Sequence, residues 1–209
     1  MQKEEYDLII LGAGTAGITI AMYAASHNFK TALIDSNEVG GICLNRGCIP
    51  TKAMLYASYL HSLTKEMKNF GITVSKVEMN FQKIMQRVNH IVQEGRKSLE
   101  FNLKNRNLTL IKEKGSFISQ NEIKAGDKIL QGKKIIICTG AKPKIPSIKG
   151  LEKVNYMVSD DVLQLQSLPQ SMIIIGGGYI SMEFSTFFND LGTKVIILEV
   201  LDRLIGKAD

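Results

Sequence analysis

The chain has no tryptophan, and only three cysteines, four prolines and three histidines among 209 residues. No apolar run approaches the eighteen or so residues of a membrane-spanning helix, and the N-terminal MQKEEYD lacks a secretory pattern. These absences point to the cytoplasm and to no membrane partner. In that compartment cysteines serve catalysis, redox sensing or metal binding more often than structural disulfides. The net charge of +6 arises from 26 basic and 20 acidic residues, yet no basic run exceeds two residues. Scattered charge without tryptophan reads as solvated helix faces, which argues against a nucleic-acid partner. Three cysteines with no histidine nearby do not make a zinc site, so no metal is expected; Cys138 reads instead as the buried end of a strand. Nothing in the chain is low-complexity.

What is present is a repeat. Residues 6–11 (YDLIIL) form a continuous apolar run of the kind that fills a buried parallel strand. The run leads into Gly12-Ala13-Gly14-Thr15-Ala16-Gly17, a helical pattern to about His27 with Asn28 as its stop, and a second apolar run ending at Asp35. Strand, glycine turn, helix, strand and acid is the dinucleotide-binding pattern in its required context. Its glycines permit a tight turn, close approach to a pyrophosphate, and close helix–strand packing. Residues 172–175, Gly176-Gly177-Gly178, a helix to about Leu191 and a strand ending at Glu199 repeat the unit, with Ser181 at the third glycine site. The spacing from Gly12 to Asp35 equals that from Gly176 to Glu199.

Between the copies the pattern predicts one long helix from near Cys43 to Phe70, closed by Gly71, and another over 81–105. The second carries an apolar face of Phe81, Ile84, Val88, Ile91, Val92, Leu99 and Leu103. Short strands are predicted at 108–111, 116–118 and 122–125, the last two as a hairpin. A buried strand should run over 133–141, ending in a Thr-Gly turn. Residues 141–150 hold two of the four prolines and read as a linker. The fold class is therefore α/β: two Rossmann-like dinucleotide-binding units, the second truncated, dividing the chain into 1–146 and 147–209.

The segment GGICLNRGCIPTK, residues 40–52, places Cys43 and Cys48 just after the first unit. Five residues of ideal helix rise about 7.5 Å, beyond the roughly 7 Å Cα separation that a disulfide bridges. The two can pair only if a turn or a distorted first helical turn intervenes. Gly47 loosens the backbone there, and Pro50 lacks the N–H that would bond the carbonyl of Arg46. Spacing alone leaves two readings open: a reactive pair, or two ordinary thiols near a helix start.

Two dinucleotide units flanking a C-x4-C pair resemble the flavin-dependent pyridine nucleotide–disulfide oxidoreductases, and the cysteine segment is most similar to that of the dihydrolipoamide dehydrogenases. KGSF at 114–117 and CTGA at 138–141 extend the likeness. The resemblance implies FAD on the first unit, with Gly12, Gly14, Ala16, Gly17 and Gly41 around its pyrophosphate and Asp35 on its ribose. Gly115, Thr139, Gly140 and Ala141 would complete that site. It implies NAD on the second unit, at Gly176, Gly178 and Ile180, with Glu183 near the nicotinamide and Lys52, and Glu199 selecting NAD over NADP. Lys52 would lie by the flavin.

The same resemblance implies a Cys43–Cys48 disulfide. Dihydrolipoamide would attack Cys43, with Cys48 against the flavin, and electrons would pass through FAD to NAD. The partner would be the lipoyl-bearing carrier of a 2-oxo acid dehydrogenase or glycine-cleavage system, and the full enzyme a homodimer. A mercuric or glutathione reductase type, or a non-catalytic flavin-binding redox module, are the alternatives; Glu199 argues against the NADP-preferring glutathione reductases. The family's catalytic histidine, paired with glutamate, belongs to a C-terminal dimerisation domain. His27, His61 and His90 match no such motif, so the chain reads as an N-terminal fragment, or one piece of a split enzyme, inactive alone.

Overall fold

The computed structural model describes residues 3–104 and 106–206. It divides into two compact units: one from the described residues of Met1–Arg46 and Val92–Pro146, the other from those of Gly47–Ile91 and Ser147–Asp209.

The first unit is built on a six-stranded sheet. β1 (Lys3–Leu11), β2 (Thr31–Ile34), β3 (Leu108–Ile111), β4 (Gly115–Ser119), β5 (Glu122–Ala125) and β6 (Lys128–Ile137) lie in the order β3-β2-β1-β6-β5-β4. The first four in that order are parallel, whereas β5 and β4 run antiparallel as the predicted hairpin. Pleating sends Leu8 and Ile10 of β1 into one core, where α1 (Thr15–Ser26) covers them with Ile18, Ala21 and Ala25. Ile9 and Leu11 enter the opposite core with Ile34, Ile111, Ile123 and Leu130. Both faces are thus filled, and each fully buried aliphatic side chain there contributes roughly 1.5–3 kcal/mol. Asn28, at φ +65°, ends α1 where its sequence predicts.

The second unit pairs β7 (Ser171–Ile175) with β8 (Lys194–Leu198) in parallel. α6 (Tyr179–Asp190) connects the two strands and packs with α3 (Cys48–Glu66). Phe187 and Phe188 are fully buried with Met54, Phe81 and Val88. Met172, Ile174 and Val195 face that core, while Ile173 of the same small sheet is 64% exposed.

The structure departs from the sequence expectations in four places. The single helix expected over 43–70 is broken into α2 (Gly41–Arg46) and α3, followed by a 3-10 turn to Phe70 and Gly71 at φ +77°. Gly47, at φ −135° and ψ −110°, interrupts the helical path, and Pro50 offers no N–H to span the gap. Strand β6 spans Lys128–Ile137 rather than 133–141, and its end is not buried, Ile137 being 64% exposed. The reason is pairing: β5 reaches β6 only as far as Gln131, so among the described residues the remainder has β1 alone as a neighbour. α4 (Phe81–Asn102) ends before residue 105, which lies outside the described residues. Its apolar face serves two cores, Phe81 and Val88 in the second unit, Leu99 and Leu103 in the first. Finally, the unit boundary at Pro146 falls in the linker, but residues 47–91 group with the second unit through α3 on α6.

Candidate functional site

The first glycine turn sits where β1, β2 and β6 end. Gly12 N–H donates to the Ile34 carbonyl at 2.7 Å, and Cys138 N–H to that of Leu11 at 2.7 Å. Gly12 takes φ +105°, and a Cβ there would stand 2.2 Å from the Cys138 carbonyl oxygen. A Cβ at Gly17 would stand 1.9 Å from the Gly12 carbonyl oxygen, which is how closely α1 seats on the turn. Gly14 caps α1 with extended backbone, no side-chain cap and no acid in the first turn. The helix therefore presents bare N–H groups and its positive dipole end, the ordinary requirements of a phosphate site. A dinucleotide pyrophosphate fits that cradle.

Asp35 does more than its sequence position suggests. Its Oδ2 accepts the Ala13 N–H at 2.7 Å, tying the acid into the glycine turn, and its Oδ1 accepts the Asn37 N–H at 2.9 Å. A carboxylate carries about four lone-pair sites, so capacity for a ribose hydroxyl is left. Gly41 sits against Gly14, where a Cβ on the former would lie 2.6 Å from the Cα of the latter. Gly40 N–H donates to the Ala13 carbonyl at 2.8 Å. Gly115 opens β4 against Leu11 and Ile34. Ala16, Thr139, Gly140 and Ala141 are exposed, Gly140 with φ +70°.

The second turn repeats the first nearly bond for bond. Gly176 N–H donates to the Leu198 carbonyl at 2.8 Å, and Gly177 N–H to Glu199 Oε2 at 2.6 Å. Gly178 caps α6 at φ −81° and ψ −177°, against −81° and −176° for Gly14. The Glu199 Oε1 accepts the N–H groups of Val200 and Leu201. Backbone N–H donors from Leu201, Gly177 and Val200 hold its carboxyl below the usual carboxylate range. Stability from this group is therefore present above the unfolded-state carboxylate range and lost as pH falls through the lower folded value. Glu199→Gln, which turns an amide N–H2 against backbone donors, should melt below the wild type at neutral pH. The two melting curves should converge as pH falls through the lowered folded value of Glu199, where the carboxylate is neutralised; thermal denaturation from neutral to acid pH checks it.

Also in the second unit, the ammonium of Lys52 on α3 pairs with the carboxylate of Glu183 on α6, and Ile180 is exposed on the first turn of α6. Cys43 is half-buried in α2, and Cys48, exposed, begins α3. No disulfide joins the described cysteines, so the implied Cys43–Cys48 bond is not seen in this structure. Among the described residues no group of three or more histidine, cysteine or acidic side chains could hold a metal. His27 bonds the Tyr23 carbonyl at the end of α1, and His61 that of Asp190. No described helix is long and apolar enough to cross a membrane.

Sequence reasoning missed Ala13, Asn37 and Asn45. Ala13 acts through its main-chain N–H, which any residue type supplies, so no sequence signal marks it. Asn45 lies inside the cysteine segment, but its partner Arg96 is 51 positions away in the chain.

Two glycine turns, each at a bare helix N-terminus and each anchored by the acid that ends the second strand, define a Rossmann-type dinucleotide-binding protein with two such units. The family model for pyridine nucleotide-disulphide oxidoreductase matches residues 6–209, and the chain belongs to that family. It is 36% identical to a dihydrolipoyl dehydrogenase of Acholeplasma laidlawii, covering 99% of this chain and 63% of that protein. It is 32% identical to a mercuric reductase of Lysinibacillus sphaericus, covering 100% and 38%. The solved structure of the HOCl-induced flavoprotein disulfide reductase RclA from Escherichia coli superposes with a TM-score of 0.83 at 32% identity, covering 98% and 44%. The chain thus spans less than two thirds of the length of these relatives.

Proposed function

We propose that this chain carries the FAD-binding and dithiol machinery of an NAD-dependent dihydrolipoamide dehydrogenase. The observation that carries the reading is the Cys43-bearing helix α2, seated by Gly41 on the first glycine turn, in a chain whose second turn ends at a carboxylate. The α1 N-terminus and Gly14 receive the FAD pyrophosphate, and Asp35 the ribose. When bound, FAD supplies a two-electron relay between the dithiol and a nicotinamide. Lys52, the last residue of the cysteine segment and paired to Glu183, holds positive charge one helical turn after Cys48. Glu199 accepts a ribose 2′-hydroxyl and repels a 2′-phosphate, favouring NAD over NADP.

The chain's own chemistry is thiol–disulfide exchange. A dihydrolipoamide thiolate attacks Sγ of Cys43; the Cys43–Cys48 bond breaks and Cys48 leaves as a thiolate. The second substrate thiol then attacks the mixed disulfide, releasing cyclic lipoamide and leaving Cys43 reduced. The substrate has lost two electrons and two protons; the cysteine pair has gained the electrons, one proton ends on the Cys43 thiol, and the other, lost when the attacking thiol ionised, goes to solvent. The partner in this reading is the lipoyl-bearing carrier of a 2-oxo acid dehydrogenase or glycine-cleavage system, in the cytoplasm, with the full enzyme a homodimer.

The test is spectroscopic. The chain is mixed with FAD, freed of excess, and titrated anaerobically with dihydrolipoamide. A long-wavelength absorption band from a Cys48 thiolate against the flavin is the expected result. Failure to retain FAD, or bound FAD with no such band, defeats the reading. Mercuric ion in place of dihydrolipoamide distinguishes the mercuric reductase alternative, which alone consumes it catalytically with a reduced nicotinamide.

A further inference from the structure

Leu44 and Asn45 lie between the cysteines and have no redox chemistry of their own, yet α4 grips both. Gly95 of α4 meets Leu44 so closely that a Cβ at position 95 would stand 2.6 Å from the leucine Cδ1. One residue on, Arg96 Nε donates to Asn45 Oδ1. The amide of Asn45 turns the other way: its Nδ2 donates at 2.9 Å to the carbonyls of Val39 and Gly41. Those residues flank Gly40, whose N–H bonds Ala13, and Gly41 touches Gly14. A continuous path of hydrogen bonds and close contacts, all in the first unit, therefore joins α4, the Cys43-bearing turn and the glycine turn.

We infer that Asn45 and Arg96 are positioning residues, which lock the turn carrying Cys43 onto the dinucleotide-binding loop. Side-chain chemistry makes the lock directional. An amide offers two donors and an acceptor at once, so asparagine satisfies carbonyls on one side and a guanidinium on the other. Aspartate at position 45 would set a carboxylate against the Val39 and Gly41 carbonyls. Without Arg96, Asn45 Oδ1 loses its charged donor and the amide is held from one side only, by its Nδ2 bonds to the Val39 and Gly41 carbonyls. The inference rests on the proposed function only for the identity of the ligand and of the reacting cysteine.

The experiment follows Cys43 itself. The phosphine-reduced chain is alkylated with iodoacetamide across a pH series, with and without FAD, and modification of each cysteine is timed by peptide mass spectrometry. In the FAD-free arm, Arg96→Leu and Asn45→Asp should each speed alkylation of Cys43 by about fivefold, the equivalent of one hydrogen bond of local order. Arg96→Lys, which keeps a charged donor, should stay within about twofold of wild type. Cys48 and Cys138 should change little. Should Arg96→Leu fail to fold, Asn45→Ser carries the same comparison. Equal Cys43 rates in wild type and Arg96→Leu, or an Arg96→Lys as fast as Arg96→Leu, overturn the inference. In the FAD arm, binding should slow Cys43 in wild type and less so in Arg96→Leu. A wild type that ignores FAD, with the FAD-free difference intact, removes the flavin reading and leaves the lock standing.

Discussion

Gly17→Ala should destabilise the first unit by about 3 kcal/mol, the upper end of ordinary overpacking, and abolish FAD binding with it. The added methyl would sit 1.9 Å from the Gly12 carbonyl oxygen and 3.3 Å from Ile10 Cγ2. Neither obstacle can step aside cheaply. Gly12 is backbone, already fixed by its bond to Ile34 and by the nearness of Cys138, while α1 is held by Ile18, Ala21 and Ala25 in the core. Gly14→Ala is the informative contrast. Its methyl would meet only Gly41 Cα at 3.7 Å, an ordinary contact, at a φ of −81° that alanine adopts freely. That variant should fold nearly as wild type and still bind FAD more weakly, because its Cβ projects from the helix N-terminus that the pyrophosphate approaches. Urea denaturation and quenching of FAD fluorescence separate the two effects. If Gly17→Ala melts and binds like wild type, the close seating of α1 carries no weight.

Cys48→Ser should remove the long-wavelength band completely, whereas Cys43→Ser should retain it. The asymmetry follows from the roles proposed above. Cys43 is the sulfur that dihydrolipoamide attacks, and Cys48 the leaving thiolate that faces the flavin. A serine hydroxyl at position 48 is not ionised near neutral pH and supplies no comparable donor. With Cys48 intact and serine at position 43, the remaining thiolate still stands in place, but no disulfide forms and substrate thiols find nothing to exchange with. Anaerobic spectra of both variants, with dihydrolipoamide consumption measured alongside, decide it. A band in Cys48→Ser would reverse the assignment of the two sulfurs.

Much of the architecture was legible because it rests on periodicity and backbone chemistry. A buried parallel strand must be apolar throughout, so residues 6–11 announced β1 and the glycines after it announced the turn. The equal spacing to Asp35 and Glu199 announced the second copy, and the two caps agree to a degree in ψ. The hairpin of β4 and β5 was legible from its short alternating strands. The break at Gly47 was half legible: Gly47 and Pro50 supply the means for it, yet the helical pattern on either side masks the interruption. The end of β6 was not legible, because exposure depends on whether a neighbouring strand reaches that far, which apolar composition does not encode. Asn45 and Arg96 were not legible, being 51 positions apart in the chain.

By themselves, the residues determined the two nucleotide turns, the acids that end them and the cysteine pair, because each is a local arrangement whose steric and hydrogen-bonding demands fall on a few neighbouring positions. Only the tertiary structure decided that Asp35 and Glu199 anchor their own turns, that α4 serves two cores, and that Arg96 reaches Asn45. These are matters of distance between segments far apart in the chain, and packing alone sets them.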